Sequence, residues 1–206
     1  MSAALEMVPP VVPATVSLPL RALSRSAKAA LSFVSKDKAR PVLTSALATV
    51  ADGAFLLVGT DGASLVETRI PWTGPGTMYQ PIPRTILETL ARVKIPKKEG
   101  PTATVSEGRV AWPGGAVDWI PEPDYTFPDY ERVIPSQTDD AGSGEDPRRP
   151  VSIGFSPSLL ARLEHLENWN AGMRVQWPAD AHAPLRADAK ADDGCSITAI
   201  VMPMRI

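Results

Sequence analysis

The chain has 206 residues and a formal net charge of -2, with 44% apolar and 21% charged residues. Those proportions suit a globular protein long enough to bury a core. Its 22 prolines and single cysteine exclude a long helical bundle, a disulfide framework and a multi-cysteine metal site, because proline breaks helix interiors. No apolar run approaches the roughly 20 residues that span a bilayer. No basic stretch followed by an apolar one marks a leader, so the expectation is a cytoplasmic protein without a membrane partner.

The first thirteen residues, rich in proline and valine, read as an extended arm. A strand is expected over 14–20 and a helix over 20–34, where Leu20, Leu23, Ala27, Leu31 and Val34 recur at steps of three and four. Arg21, Arg25 and Lys28 share another face of that helix. Short β-type runs follow at 44–50, 55–60 and 65–70, separated by turn signals at Asp52-Gly53 and Asp61-Gly62. The pattern then returns, with a strand over 78–82, a helix over 84–93, and strands over 102–106, 109–112 and 116–120. Residues 136–149 are polar, rich in Gly, Ser and Asp, and read as a linker. Beyond them a strand over 151–155 leads to a Ser156-Pro157 helix start and a stripe of Leu159, Leu160, Leu163 and Leu166. Strands over 173–177, 185–187 and 197–202 close the chain.

The sequence therefore predicts three copies of strand, helix and three strands. With no helix between the last three strands of each copy, those strands should form antiparallel meanders with helices on one face, an α+β architecture. Charge divides unevenly along it. Residues 1–100 hold 12 Lys/Arg against 7 Asp/Glu, and residues 101–206 hold 9 against 16. That is consistent with an acidic linker, or with a first half that presents a face to a polyanion.

Three stretches carry a resemblance to one family. They are Arg40-Pro41-Val42-Leu43 with Thr60-Asp61-Gly62-Ala63-Ser64-Leu65, then Phe127-Pro128-Asp129-Tyr130-Glu131-Arg132-Val133-Ile134-Pro135, then Ile200-Val201-Met202-Pro203-Met204-Arg205-Ile206. In that order they resemble the bacterial replicative sliding clamp, the β subunit of DNA polymerase III. The resemblance implies the sliding-clamp fold, with residues 14–135 as one complete clamp-like domain of two units and 150–206 as a half-domain. Family members have six units per chain and close into rings around duplex DNA; this sequence has three. The resemblance leaves open a ring of several copies, or a non-encircling adaptor or decoy without DNA tethering.

In the family these stretches meet in a hydrophobic groove for short linear motifs of polymerases, clamp loaders and repair proteins. Carried over, one wall would be Leu43, Thr60, Gly62, Ala63, Ser64 and Leu65. The floor would be Pro128, Arg132 and Val133, and the other side Ile200, Met202, Pro203, Met204, Arg205 and Ile206. Methionine is flexible and polarizable, which suits adaptable apolar recognition. Where the family has His-Arg, this chain has Ala63-Ser64. The resemblance also implies sequence-independent phosphate contacts, for which Arg21, Arg25, Lys28, Arg40, Arg84 and Arg92 are the candidates; a solvated polar face explains the same residues. Trp72, Trp112, Trp119, Trp169 and Trp177 suit either base stacking or a β-rich core. His165, His182 and Cys195 have no acid, nucleophile or ligand pattern around them, and no glycine-rich phosphate loop occurs, so no catalysis, metal or cofactor is expected.

Overall fold

The computed structural model describes residues 14–96, 100–122, 125–135, 155–169, 172–176 and 183–204. The arm 1–13, the linker 136–149, all but the last residue of the strand expected over 151–155, and Trp177, His182, Arg205 and Ile206 lie outside them. Eleven strands run in the order β1 (Val16–Pro19), β2 (Ser45–Ala51), β3 (Ala54–Thr60), β4 (Ser64–Pro71), β5 (Tyr79–Pro83), β6 (Thr102–Ser106), β7 (Arg109–Trp112), β8 (Gly115–Asp118), β9 (Arg174–Gln176), β10 (Leu185–Lys190) and β11 (Ser196–Val201). Helices α1 (Leu20–Phe33), α2 (Arg84–Ala91) and α3 (Pro157–Leu160) interrupt them. The expected meanders are present, β2-β3-β4, β6-β7-β8 and β9-β10-β11, all antiparallel.

The sheets are assembled less locally than the meanders. β1 pairs with β6, and β5 pairs with β2, so the leading strands of the first two copies exchange sheets. The third meander joins the first through β4 and β11, giving a seven-stranded sheet β5-β2-β3-β4-β11-β10-β9 beside a four-stranded sheet β1-β6-β7-β8. Side chains alternate across each strand. On one face Phe55, Leu57, Val66, Ala187, Ile197, Ala199 and Val201 pack with α1 and α2 in the main core. On the other, Leu47, Leu56, Val58, Leu65 and Ile200 are covered by Phe127 and Tyr130 of the connecting segment.

Helix α1 differs from its expected single apolar stripe. Leu20, Ala22, Leu23, Ser24, Ser26, Ala27, Ala29, Ala30 and Phe33 are all buried, leaving a narrow exposed strip at Arg21 and Lys28. Its Ala and Ser content permits this, because small side chains let the sheet approach closely. A Cβ on Gly59 of β3 would lie 2.9 Å from the Ala30 carbonyl oxygen. The third helix also differs. Only Pro157–Leu160 is α-helical, and Ala161–Trp169 continues as a 3₁₀ helix. Leu160, Leu163, Leu166 and Trp169 are spaced by three, the repeat of a 3₁₀ helix, so that winding keeps them on one side. Leu166 and Trp169 reach full burial against α1 this way. Strand β8 stops at Asp118, two residues before the expected end; Trp119 N instead donates to Gly108 O at 2.8 Å and its indole to Pro81 O at 2.8 Å.

Candidate functional site

The turn between β3 and β4 is held by its own side chains. Asp61 Oδ1 accepts from the backbone N–H groups of Ala63 at 3.0 Å and Ser64 at 2.9 Å, while Thr60 Oγ1 donates to Ser64 O at 2.7 Å. Gly62 has φ of 90°, a left-handed conformation that glycine adopts without strain. From the 3₁₀ helix, Arg162 Nη1 reaches Asp61 Oδ2 at 2.6 Å and Ser64 Oγ at 2.5 Å. Burial alone would raise the Asp61 pKa, but the N–H donors of Ala63 and Ser64 and the Arg162 guanidinium outweigh it and hold the carboxyl below 3.8. The last strand hooks onto the same turn, Met202 N donating to Ala63 O at 3.1 Å. Opposite, Pro128–Val133 ends in a 3₁₀ turn closed by Val133 N to Tyr130 O at 3.1 Å, and Phe127 N donates to the Tyr79 hydroxyl at 3.0 Å.

These three stretches enclose a largely apolar crevice of about 230 Å³. Its walls include Leu43, Thr60, Gly62, Ser64, Leu65, Pro128, Val133, Ile200 and Met202, all expected from the sequence. Asp129 and Tyr130 also line it and were not expected. Tyr130 stands three residues after Phe127, so both rings turn to the sheet, 6.0 Å apart and edge-to-face; that spacing was the available signal. Other expected residues are not in the walls. Ala63 faces a neighbouring polar cleft, Arg132 points to solvent in an ion pair with Asp129 at 2.6 Å, and Pro203 and the half-exposed Met204 lie beyond the crevice. Arg205 and Ile206 are outside the described residues.

The cationic candidates do not form one patch. Arg40 and Arg84, with Lys36 and Arg162, line a polar cleft of about 730 Å³ at the C-terminal end of α1. Arg21 and Lys28 are exposed on α1 and Arg92 is exposed after α2. Arg21 and Arg40 make exposed contacts, to Pro96 O at 3.1 Å and to Asp37 at 3.4 Å, and two further guanidiniums are held in less exposed ones. Arg25 binds both carboxylate oxygens of Asp193 at 2.8 and 3.0 Å and lies over the Trp169 ring, 4.3 Å from its centroid. Arg84 donates to the Leu31 and Val34 carbonyls, each at 3.3 Å, satisfying acceptors that the end of α1 leaves open. Trp72, Trp112, Trp119 and Trp169 pack in or against the main core. Cys195 is buried, and desolvation pushes its thiol up to about 11. Among the described residues no group of His, Cys, Asp and Glu is placed to hold a metal ion, and no helix is long and apolar enough to cross a membrane.

No protein-family profile and no curated protein sequence matches this chain. Solved structures do. A Pseudomonas aeruginosa DNA polymerase sliding clamp, crystallised with a ligand, superposes with a TM-score of 0.72 at 19% identity over 93% of this chain and 66% of its own. A Caulobacter crescentus β sliding clamp with polyethylene glycol bound gives 0.70 at 19% identity over 100% and 67%. The Thermotoga maritima DNA polymerase III β subunit gives 0.67 at 17% identity over 98% and 69%. The chain thus has the sliding-clamp fold and spans about two thirds of those clamps' length, as little as 66%.

Proposed function

We propose that the chain is a sliding-clamp-like replication or repair factor that takes short linear motifs of polymerases, clamp loaders or repair proteins in the crevice and holds them at duplex DNA. In this reading residues 14–135 are a complete clamp-like domain and 150–206 a half-domain, and the chain binds rather than catalyses. The observation that carries it is the convergence of Leu43, Leu65, Val133, Ile200 and Met202, from three distant stretches, on one crevice of about 230 Å³. Such a volume admits one or two apolar anchors, each contributing about 1.5–3 kcal/mol on burial. Micromolar binding needs about 8 kcal/mol, so the contact is weak and exchangeable, and tethering supplies the rest through effective concentration. A non-encircling adaptor is the second reading, favoured by the internal engagement of Arg25 and Arg84, which thins the cationic face.

The test is a titration of a fluorescent peptide carrying Gln followed by Leu and Phe. Val133, 41% exposed, tolerates substitution without disturbing the core; Val133→Asp should weaken binding at least about tenfold, as for a buried interface anchor. Equal affinity in Val133→Asp and Met202→Ala would remove the groove. Retention on circular DNA, lost on linearisation, separates a ring from an adaptor, and steep salt dependence marks phosphate contacts.

A further inference from the structure

A second cleft, of about 440 Å³, lies between β5 and the segment after β8, away from the crevice just described. Its lining includes Ala14, Tyr79, Pro81, Pro121 and Tyr125, with Glu107 and Glu122. Both glutamates are exposed, and neither joins an ion pair among the described residues. Tyr79 is 56% exposed and its ring lies 6.4 Å from that of Tyr125, giving two adjoining aromatic surfaces. The Tyr125 hydroxyl is buried and has no hydrogen-bond partner among the described residues. Ile120, which precedes Pro121 in the chain, is 93% exposed. Aromatic and proline walls pack against an extended polyproline-type segment, a preformed, low-entropy chain. The glutamate pair selects its charge: a lysine or arginine on the segment would meet two carboxylates and lie against tyrosine faces.

We infer that this cleft is a docking site for a short extended segment of a partner protein that carries prolines and at least one lysine or arginine. None of the residues named here lines the motif-binding crevice, although the Tyr79 hydroxyl holds Phe127 of the segment opposite it, so the charge-reversal variants rather than Tyr79→Ala separate the two sites. The probe is a fluorescein-labelled proline-rich peptide with one arginine, titrated onto the full chain and compared with its Arg→Ala version and a Gly/Ser peptide of equal length. The arginine peptide should bind, the other two should bind at least about tenfold more weakly, and Glu107→Lys with Glu122→Lys should cost a similar factor through like-charge repulsion. These substitutions are on the surface, so an unchanged melting temperature keeps the comparison clean. Tyr79→Ala should weaken both arginine and alanine peptides, since it removes the stacking wall. Equal binding of the proline and Gly/Ser peptides, or indifference to the charge reversal, overturns the proposal. So does arginine-peptide binding seen only after residues 1–13, which include Val8-Pro9-Pro10-Val11-Val12-Pro13, are deleted; that result would give the cleft to the chain's own proline-rich segment. Binding that persists in Val133→Asp separates this site from the crevice.

Discussion

The pairing of β4 with β11 has two unlike ends on the outer face of the sheet. At one end Leu65 faces Ile200, and the surface continues into the apolar crevice. Two and four residues along, Glu67 faces Thr198 and Arg69 faces Ser196, and the surface opens into a cleft of about 670 Å³. At the polar end the charges on and beside the two strands hold one another, while Glu131, Arg174 and Lys190 line the cleft's exposed side. Glu67 binds Arg69 at 3.1 Å, Arg186 binds Asp188 at 2.8 and 3.0 Å and also donates to Pro135 O, and Thr198 donates to Asp188 at 2.7 Å. Charges that hold one another in place contribute order and leave little to offer a ligand, whereas an apolar wall gains only when something covers it. Tyr130 lines both, and its phenol pKa is held up by burial and then by the Glu67 carboxylate. The larger cavity is therefore the weaker candidate for binding, and the smaller one the stronger.

The inner face of the same pairing is common to both ends, and breaking it should abolish both. Ala199, fully buried, lies opposite Val66 against the helices. Ala199→Asp buries an unpaired carboxylate and is expected to cost about 4 kcal/mol or more, in the range reserved for buried charges. For a chain of this size that lowers the melting temperature by about 10 °C or more. Loss of stability with motif binding retained would show that the crevice does not depend on this junction.

Acid should act on the crevice wall next. Asp61 has its folded-state pKa held below its ordinary 3.8, and so has Asp193, where burial alone would raise the carboxyl but Arg25 outweighs it. A depressed carboxylate contributes stability that is complete above the unfolded value and is lost as pH falls through the folded one. The melting temperature should hold down to about pH 3.8 and fall below it. Asp61→Asn should cost about 1.5–3 kcal/mol at neutral pH, the range for a hydrogen bond to a charged group. The difference from the parent chain should close under acid, where both carry a neutral side chain. A constant difference across pH would mean the Arg162 contact contributes through packing alone.

Local features of the fold were legible because turn chemistry and period-two alternation are local. The β3–β4 turn at Asp61-Gly62 and the three meanders sit near where the sequence puts them, whereas the wall residues Leu43, Leu65, Val133, Ile200 and Met202 are named by the family resemblance alone. What was not legible depends on distant partners. Arg162 reads as one charge on a mixed helix, and only the fold brings it 98 positions back to Ser64. Arg25 reads as part of a basic face, yet its partner Asp193 is 168 positions away. The 3₁₀ winding of Ala161–Trp169 was visible in its spacing of three but was read as an ordinary stripe. The exchange of β1 and β5 between sheets has no signature in either strand.

Tyr130 provides the finest division between the two ends, because one side chain serves both. Burial first, then the neighbouring Glu67 carboxylate, holds its phenol protonated well above its ordinary range, so the hydroxyl stays neutral beside Glu67. Tyr130→Phe keeps the ring in the crevice and removes the hydroxyl beside Glu67. Glu67, 7% exposed, would then rely on Arg69. The expected cost is at most about 1 kcal/mol, the net worth of one hydrogen bond, or a fall of no more than about 2–4 °C in melting temperature, with motif-peptide affinity unchanged. Tyr130→Ala should lose both stability and affinity, since it takes away a wall of the crevice and opens it into the polar cleft. If the phenylalanine variant lost affinity as well, the hydroxyl would be contributing to the apolar site, and the two ends would act as one.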